Sequence, residues 1–176
     1  MGNWNNFDSD LKKEQDDTAQ ANLEAFYQKY LPDYQAMYVE YDSSNGKFLQ
    51  HAGVDKIFAK YNQYGSITSQ LWIQEKVLSS NYPNFMVEYQ KKSGAKGWGL
   101  CPHEKADFIV YYMAGTIYVM KYNDLRGYVT DNLEELKSKY YYKTDNHNIN
   151  IPKAVLEANI KVGTCLPSEY QKEGVA

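Results

Sequence analysis

One strand signal constrains the fold of this chain more than any other feature. Residues 67–78, ITSQLWIQEKVL, alternate between two faces along their whole length, which is the period of a β-strand. Glu75 falls on the same face as apolar neighbours, whereas Gln74 and Lys76 share the opposite face. The chain is therefore expected to build a β-sheet that includes this strand.

Shorter segments with strand character occur on both sides of this strand in the sequence. Ala114 and Gly115 join two of them at a tight turn, which indicates a β-hairpin. The segments are 53–59, 85–90, 107–113, 116–121 and 140–151, and 36–42 is either a further strand or an extension of the helix before it.

An amphipathic helix is expected before the strands. Apolar side chains recur at helical spacing from Leu23 to Leu31, which gives one apolar stripe. Asp17 or Thr18 is a suitable N-cap. Pro32 ends the helix, because the residue before a proline avoids helical backbone angles.

Two more helices are expected in the second half of the chain. A helical apolar stripe over 125–136 indicates the first, with Asn123 or Asp124 as its N-cap, and Pro152 suits the first turn of a short second one. The order of elements predicts an α/β or α+β fold in which one mixed central β-sheet is flanked by helices.

The composition is that of an ordinary globular protein, with 43% hydrophobic and 23% charged residues. We expect one domain over 17–165, a flexible polar arm at 1–16 and a loose tail at 166–176. Two cysteines exclude a disulfide-rich scaffold and a four-cysteine zinc site. The longest nearly apolar run, Phe108–Met120, is too short to span a bilayer, and the first residues do not resemble a signal peptide. A cytoplasmic protein is expected.

The charge distribution limits how the chain meets nucleic acid. A formal net charge of −3 argues against a protein that coats nucleic acid by bulk electrostatics, but it is compatible with a locally basic cleft. Lys91, Lys92, Lys96 and Lys105 surround the loop after segment 85–90. They are either a solvated loop or a lip that contacts phosphates.

Side chains that suit a hard metal ion fall on three strand segments. Asp55 begins the first, Gln74, Glu75 and Lys76 lie in the second, and Glu88 lies in the third. Mg²⁺ prefers carboxylate and amide oxygens, and adjacent strands lie only ~4.8 Å apart. Oxygen ligands on two such strands, beside an ammonium group, suit metal-assisted hydrolysis of a phosphodiester.

The order of these motifs resembles the core of PD-(D/E)XK nuclease-like proteins, especially small members encoded by phages and bacteria. GVDKIF at 53–58 is similar to the family's Gly-hydrophobic-Asp strand, and WIQEKV at 72–77 to its acid-x-lysine strand. FMVEYQ at 85–90 is similar to its hydrophobic-Glu-aromatic strand, and Gly97–Trp98 to a pair that follows it. The resemblance covers roughly 17–158 and implies a restriction-endonuclease-like fold.

The resemblance also implies a reaction and residue roles. The reaction is cleavage of DNA with Mg²⁺ or Mn²⁺ as cofactor. Asp55 would be the principal metal ligand, Gln74 a second oxygen ligand, and Lys76 the group that orients the attacking water. The family's usual acid is replaced by Gln74, so one negative charge is missing, and Glu75 or Glu88 would have to supply it.

Two functions follow from this resemblance. One is a metal-dependent DNA endonuclease, which in this family often works as a homodimer. The other is a catalytically inactive protein on the same fold that binds DNA or a protein, for example a phage product that blocks a host defence system. Asp55 and Lys76 at the family's spacing favour the enzyme, whereas Gln74 and the net acidity favour the binding protein.

Overall fold

The structure of the chain is a computed structural model that describes residues 17–37, 53–78, 82–101 and 105–167. Within these ranges the chain forms four helices and nine strands. The helices are α1 (Asp17–Tyr30), α2 (Tyr122–Asp131), α3 (Leu133–Tyr140) and α4 (Lys153–Asn159). The strands are β1 (Gln35–Met37), β2 (Lys56–Tyr61), β3 (Ile67–Leu78), β4 (Asn84–Gln90), β5 (Phe108–Met113), β6 (Thr116–Lys121), β7 (Tyr141–Lys143), β8 (His147–Pro152) and β9 (Val162–Gly163). The predicted arm at 1–16 lies outside the described residues. The predicted tail at 166–176 does so too, except for Pro167 and Leu166, and Leu166 is buried in the core.

Six strands form a mixed sheet in the order β1-β2-β3-β5-β6-β9. Neighbours in this sheet are antiparallel except for β3 and β5, which are parallel. β5 and β6 form the predicted hairpin, and φ is positive at both turn residues, Ala114 (46°) and Gly115 (91°). Such a turn matches the right-handed twist of the two strands. The mixed α and β character and the mixed sheet predicted from the sequence are confirmed.

The expectation of a single sheet is wrong, because β4, β8 and β7 form a second, antiparallel sheet. Parallel strands such as β3 and β5 cannot be joined by a tight turn and need a longer crossover. β4 lies in that crossover and pairs with β8, which comes much later in the sequence. β4 is therefore not a neighbour of β3 in either sheet.

The two faces of the six-stranded sheet are covered by different elements. Helix α1 packs on one face through its predicted apolar stripe, and the second sheet with α2, α3 and α4 covers the other. Residues in the first core include Leu23, Phe26, Tyr27, Phe58, Leu71, Ile73, Val77 and Val110. Residues in the second include Phe85, Val87, Ile109, Tyr111, Leu125, Leu136, Ile149 and Leu156. On β3, Leu71, Ile73 and Val77 belong to the first core, whereas Leu78 packs against the second.

Helix α2 begins earlier than the sequence predicts. It starts at Tyr122 with Lys121 as the N-cap residue, and no side chain caps it, whereas Asn123 or Asp124 was the expected cap. The main-chain N–H of Tyr122 donates to the carbonyl of Asp107, next to the last pair of β5 and β6. The helix thus follows β6 directly, which leaves no room for a capping turn.

The helix predicted over 125–136 is divided into α2 and α3 at Asn132. This residue has φ −115° and ψ 17°, outside the helical region, and its side-chain amide donates to the carbonyl of Tyr128.

Among the described helices, none is long and apolar enough to cross a membrane.

Candidate functional site

Asp55 is fixed against β3 by two hydrogen bonds. It immediately precedes β2, whose first residue is Lys56 rather than the predicted residue 53. Its main-chain N–H donates to the carbonyl of Ile73 at 2.9 Å, and its Oδ2 accepts from the main-chain N–H of Glu75 at 2.7 Å. Because Gln74 lies between these two partners, the Asp55 carboxylate is held beside the Gln74 position of β3.

Gln74 carries a buried acceptor that the described part of the chain leaves unsatisfied. The residue is 5% exposed, and its Oε1 has no hydrogen-bond partner among the described residues. Leaving a buried polar group unpaired typically costs about 1–3 kcal/mol, so such groups are rare and need an explanation. One physical explanation is that this oxygen serves as a ligand atom for a cation.

Lys76 lies on the same face of β3 as Gln74, as the alternation of the strand predicts. Its Nζ is 5.3 Å from the centre of the Trp98 ring, within the range of a cation–π contact. The side chain is half-buried rather than fully solvated. The ammonium group therefore lies over the loop that follows β4, on the side of the sheet that faces the second core.

Glu75 points to the opposite face, toward α1, among the buried side chains predicted to surround it. Its Oε1 accepts a hydrogen bond from the Tyr27 hydroxyl at 2.7 Å and lies 3.3 Å from Lys56 Nζ. Lys56 Nζ also donates to Gln20 Oε1 at 3.4 Å. Glu75 thus ties α1 to β2 and β3, on the other side of the sheet from Gln74 and Lys76.

Burial dominates the electrostatics of the Glu75 cluster. It raises the pKa of Glu75 above the ordinary 4.5, while Lys56 and Tyr27 act in the opposite direction and the Asp55 charge adds to the increase. Burial also raises the pKa of the Tyr27 hydroxyl, and the Glu75 charge raises it further. Tyr27 therefore keeps its proton and remains a donor to Glu75.

The sequence did not single out Tyr27 or Lys56 as polar partners. Tyr27 belongs to the predicted apolar stripe of α1, where it is expected as a core residue, and Lys56 was an unremarked strand residue. One signal for Lys56 is its register, because it pairs with Ile73 and so shares a face with Glu75. The contact with Tyr27 depends on how α1 docks, which no local pattern specifies.

A second aspartate holds the other edge of β3. Asp107 immediately precedes β5, its Oδ2 accepts from the main-chain N–H of Trp72 at 2.8 Å, and its own N–H donates to the Trp72 carbonyl. From the β2 side, Asp55 bonds in a similar way to the main chain of Ile73 and Glu75. The two carboxylates together fix the middle of β3 from both edges, which keeps Gln74 in a defined position.

The structure does not bring Glu88 to this place. β4 belongs to the second sheet, and Glu88 lies on the face of β4 opposite the buried residues Phe85 and Val87. Its Oε2 accepts a hydrogen bond from Asn146 Nδ2. Its Cγ and main-chain carbonyl also lie against Gly97, where any β-carbon would collide with them.

The four predicted lysines of the basic lip, Lys91, Lys92, Lys96 and Lys105, are all exposed. The first three lie in a compact loop in which Lys91 N–H donates to the carbonyl of Ala95, and the N–H of Gly94 donates to the carbonyl of Lys91. This loop leads directly into Trp98, the ring under Lys76. The three lysines of this loop and the Gln74–Lys76 face are therefore on the same side of the six-stranded sheet.

The donor set fits a magnesium ion held by few protein atoms. Mg²⁺ is commonly bound through one or two carboxylates, with waters and substrate phosphate completing its coordination. Asp55 supplies a carboxylate, and Gln74 supplies an amide oxygen that no described residue satisfies. The described residues contain no group of three His, Cys, Asp or Glu side chains placed to hold a metal, so a carboxylate-rich site is not formed there.

Comparison with known proteins yields no match: no family model fits the chain, and no curated protein or solved structure is significantly similar to it. The resemblance to PD-(D/E)XK nucleases thus depends on the motif residues alone and stays a prediction.

Proposed function

We propose that the chain is a Mg²⁺-dependent, endonuclease-like hydrolase that cleaves phosphodiester bonds in DNA. The observation that carries this proposal is that the buried Oε1 of Gln74 has no hydrogen-bond partner among the described residues, on a strand segment that Asp55 binds. A core residue would be expected to satisfy this oxygen or to be apolar. A residue that binds a metal ion would instead use this oxygen as the ligand atom.

Each residue of the site has a distinct role in the proposal. Asp55 and Gln74 would hold the ion, and the N–H of Glu75 keeps the Asp55 carboxylate in place. When bound, a divalent ion neutralises charge on the phosphate and acidifies a water molecule. Lys76 orients the nucleophile and offsets negative charge as it develops on the phosphate.

In this proposal neither Glu75 nor Glu88 supplies the missing negative charge, because each has other partners. Glu75 is bound to Tyr27 and Lys56 on the α1 face, and Glu88 to Asn146 in the second sheet. A site with one carboxylate should bind Mg²⁺ weakly in the absence of substrate, because phosphate oxygens must complete both the coordination and the charge. Metal binding is then coupled to DNA binding.

A binding protein without catalysis is the second candidate, and one observation favours it. Within the described residues, no cluster of three metal-ligating acids, histidines or cysteines exists. A chain that had lost catalysis but kept the fold would show this pattern. It would not, however, need to retain an unpaired amide oxygen inside the protein.

A cleavage assay tests the proposal. Purified protein is incubated with supercoiled plasmid or single-stranded DNA in Mg²⁺, in Mn²⁺ and in EDTA. Asp55→Asn keeps a hydrogen-bond acceptor for Glu75 but removes the charge, and Lys76→Ala removes the ammonium group. Lys161→Ala, an exposed lysine next to β9, is the matched control.

Metal-dependent nicking that is lost in Asp55→Asn and in Lys76→Ala, but kept in Lys161→Ala, supports the nuclease. The proposal is overturned if no metal supports cleavage, or if cleavage persists in Asp55→Asn. If the protein binds DNA but cleaves it with none of the metals, the second candidate, a binding protein without catalysis, is favoured.

A further inference from the structure

The outer strand of the second sheet presents an exposed edge rich in tyrosine. β7 is the last strand in the order β4-β8-β7, and its three residues are all exposed. Tyr141 is 47% exposed and Tyr142 is 48% exposed, although large aromatic side chains usually bury most of their surface. Lys143 ends the strand. Because successive strand residues point to opposite faces, Tyr141 and Lys143 share one face of β7 and Tyr142 lies on the other. Exposed aromatic rings therefore flank this open edge on both faces.

Two further lysines lie at the same end of this sheet. Lys143 pairs with His147 on β8, and His147 pairs with Gln90 on β4, so these residues form one row across the three strands. Lys91 and Lys92 follow Gln90 directly. We call Lys91, Lys92, Tyr141, Tyr142 and Lys143 the lysine–tyrosine edge.

Hydrogen bonds hold the parts of this edge together. The main-chain N–H of Lys92 donates to Asn146 Oδ1 at 2.9 Å, which fixes the lysine loop to the turn between β7 and β8. Asn146 in turn donates to Glu88 Oε2. The Tyr141 hydroxyl lies 2.9 Å from His147 Nδ1, which fixes its ring. The surface is therefore preorganised, which lowers the entropic cost of binding a ligand.

We propose that the lysine–tyrosine edge binds single-stranded DNA. Tyrosine rings stack on bases that are already unstacked, and lysines follow the phosphates. Duplex bases are stacked on one another and do not offer these faces. The three lysines concentrate positive charge in a chain of net charge −3. Asp145 in the same turn and Glu88, which accepts a hydrogen bond from Asn146, offset part of this charge.

The position of the edge links it to the proposed active site. The lysine loop runs from Lys91 into Gly97 and Trp98, and the Trp98 ring lies 5.3 Å from Lys76 Nζ. A strand that leaves the edge along this loop would arrive at the face of β3 that carries Gln74. The inference assigns single strands as the substrate class of the proposed nuclease. It rests on the proposed function only for the claim that the bound strand is then cleaved.

Fluorescence anisotropy in EDTA measures binding without cleavage. The probes are a labelled oligothymidine and a labelled oligouridine of about 20 nucleotides, longer than one typical single-strand site, and a duplex of the same length. The variants are Tyr142→Ala and the double change Lys91→Ala with Lys92→Ala. Tyr64→Ala, an 82% exposed tyrosine in the turn between β2 and β3, and Lys161→Ala are matched controls.

Wild type should bind the single strands more tightly than the duplex. Tyr142→Ala should weaken binding about fivefold or more, since one base–aromatic stack is worth ~1–3 kcal/mol. The double lysine change should make the negative slope of log affinity against log salt shallower, by about 0.7 for each phosphate that the variant no longer neutralises. Both controls should bind as wild type does. Oligothymidine should bind at least as tightly as oligouridine, and a clear preference for oligouridine would overturn DNA as the bound strand.

The inference is overturned if wild type binds no single strand at low salt, if duplex is preferred, or if the edge variants bind as wild type does. Its failure is distinct from failure of the nuclease proposal. Asp55→Asn is expected to lose cleavage and keep binding. If no DNA is cut but the edge variants lose binding, the nuclease proposal fails alone; if cleavage depends on Asp55 while the edge variants bind normally, the inference fails alone.

Discussion

Asp55 Oδ2 accepts a 2.7 Å hydrogen bond from the main-chain N–H of Glu75, and this bond connects the start of β2 to the middle of β3. Asp55 thus has a structural task in addition to its proposed role as a metal ligand. A simple truncation would confuse the two. The two tasks can be separated because an amide accepts the same bond without carrying the charge.

Asp55→Asn should leave stability nearly unchanged, whereas Asp55→Ala should lower the free energy of unfolding by about 1–3 kcal/mol, since it leaves the Glu75 N–H without its acceptor. Urea denaturation of both variants measures the difference. Equal stability of the two variants would show that the Glu75 bond contributes little. Both variants should be inactive in the cleavage assay.

The pH dependence of stability should report on Glu75. Its pKa is raised in the folded protein, so the folded state binds the proton more tightly than the unfolded state. Protonated Glu75 therefore contributes to the free energy of unfolding at low pH. This contribution is lost as the pH rises from about 4.5 through the raised pKa. Glu75→Gln keeps an acceptor for Tyr27 but cannot titrate.

The difference in unfolding free energy between wild type and Glu75→Gln should consequently shift in favour of the variant as the pH rises through this window. Denaturant melts at a series of pH values give this difference. A gap that stays constant with pH, or that shifts in favour of wild type, would contradict the raised pKa.

Two glycines offer a matched test of the packing around Trp98. A β-carbon on Gly97 would lie 2.5 Å from the Glu88 carbonyl oxygen, so Gly97→Ala must separate the loop from β4. Gly127, inside α2, has open space around it. Gly127→Ala should stabilise the protein by roughly 0.5–1 kcal/mol through helix propensity.

Thermal unfolding should therefore show a lower melting temperature for Gly97→Ala and a higher one for Gly127→Ala. Gly97→Ala should also change the tryptophan fluorescence, because Trp98 moves with the loop. If Gly97→Ala melted like wild type, the loop would not pack on Glu88 as the structure has it.

Gln74→Met tests whether the buried amide is kept for function. Methionine has a similar shape and no polar atom to satisfy, so it should not destabilise the protein and is expected to raise its stability by up to about 1–2 kcal/mol. The measurement is the denaturant midpoint in EDTA. A decrease in stability of more than about 1–2 kcal/mol would mean that Oε1 has a structural partner.

The sequence predicted those features that depend on local periodicity. β3 has its predicted bounds, Ile67–Leu78. α1 ends before Pro32 as expected. The separation of Glu75 from Gln74 and Lys76 onto two faces also follows from the period of a strand.

Features that depend on distant pairing were not predictable in this way. β4 looks like any other strand in sequence, and nothing local shows that its partner is β8, with Glu88 opposite Asn148. The same holds for the contact of Tyr27 with Glu75, which requires α1 to dock on β3. Periodicity specifies which face a residue occupies, but the partner on that face is a property of the tertiary fold.

The central claim is that Asp55 and Gln74 together bind a divalent cation, and calorimetric titration with Mn²⁺ tests it most directly. Without DNA, wild type should bind one ion weakly, and Asp55→Asn and Gln74→Met should bind none. Gln74→Glu should bind more tightly than wild type, because it restores the missing charge. Binding that is equal in wild type and Gln74→Met, or absent from both wild type and Gln74→Glu, would contradict the account.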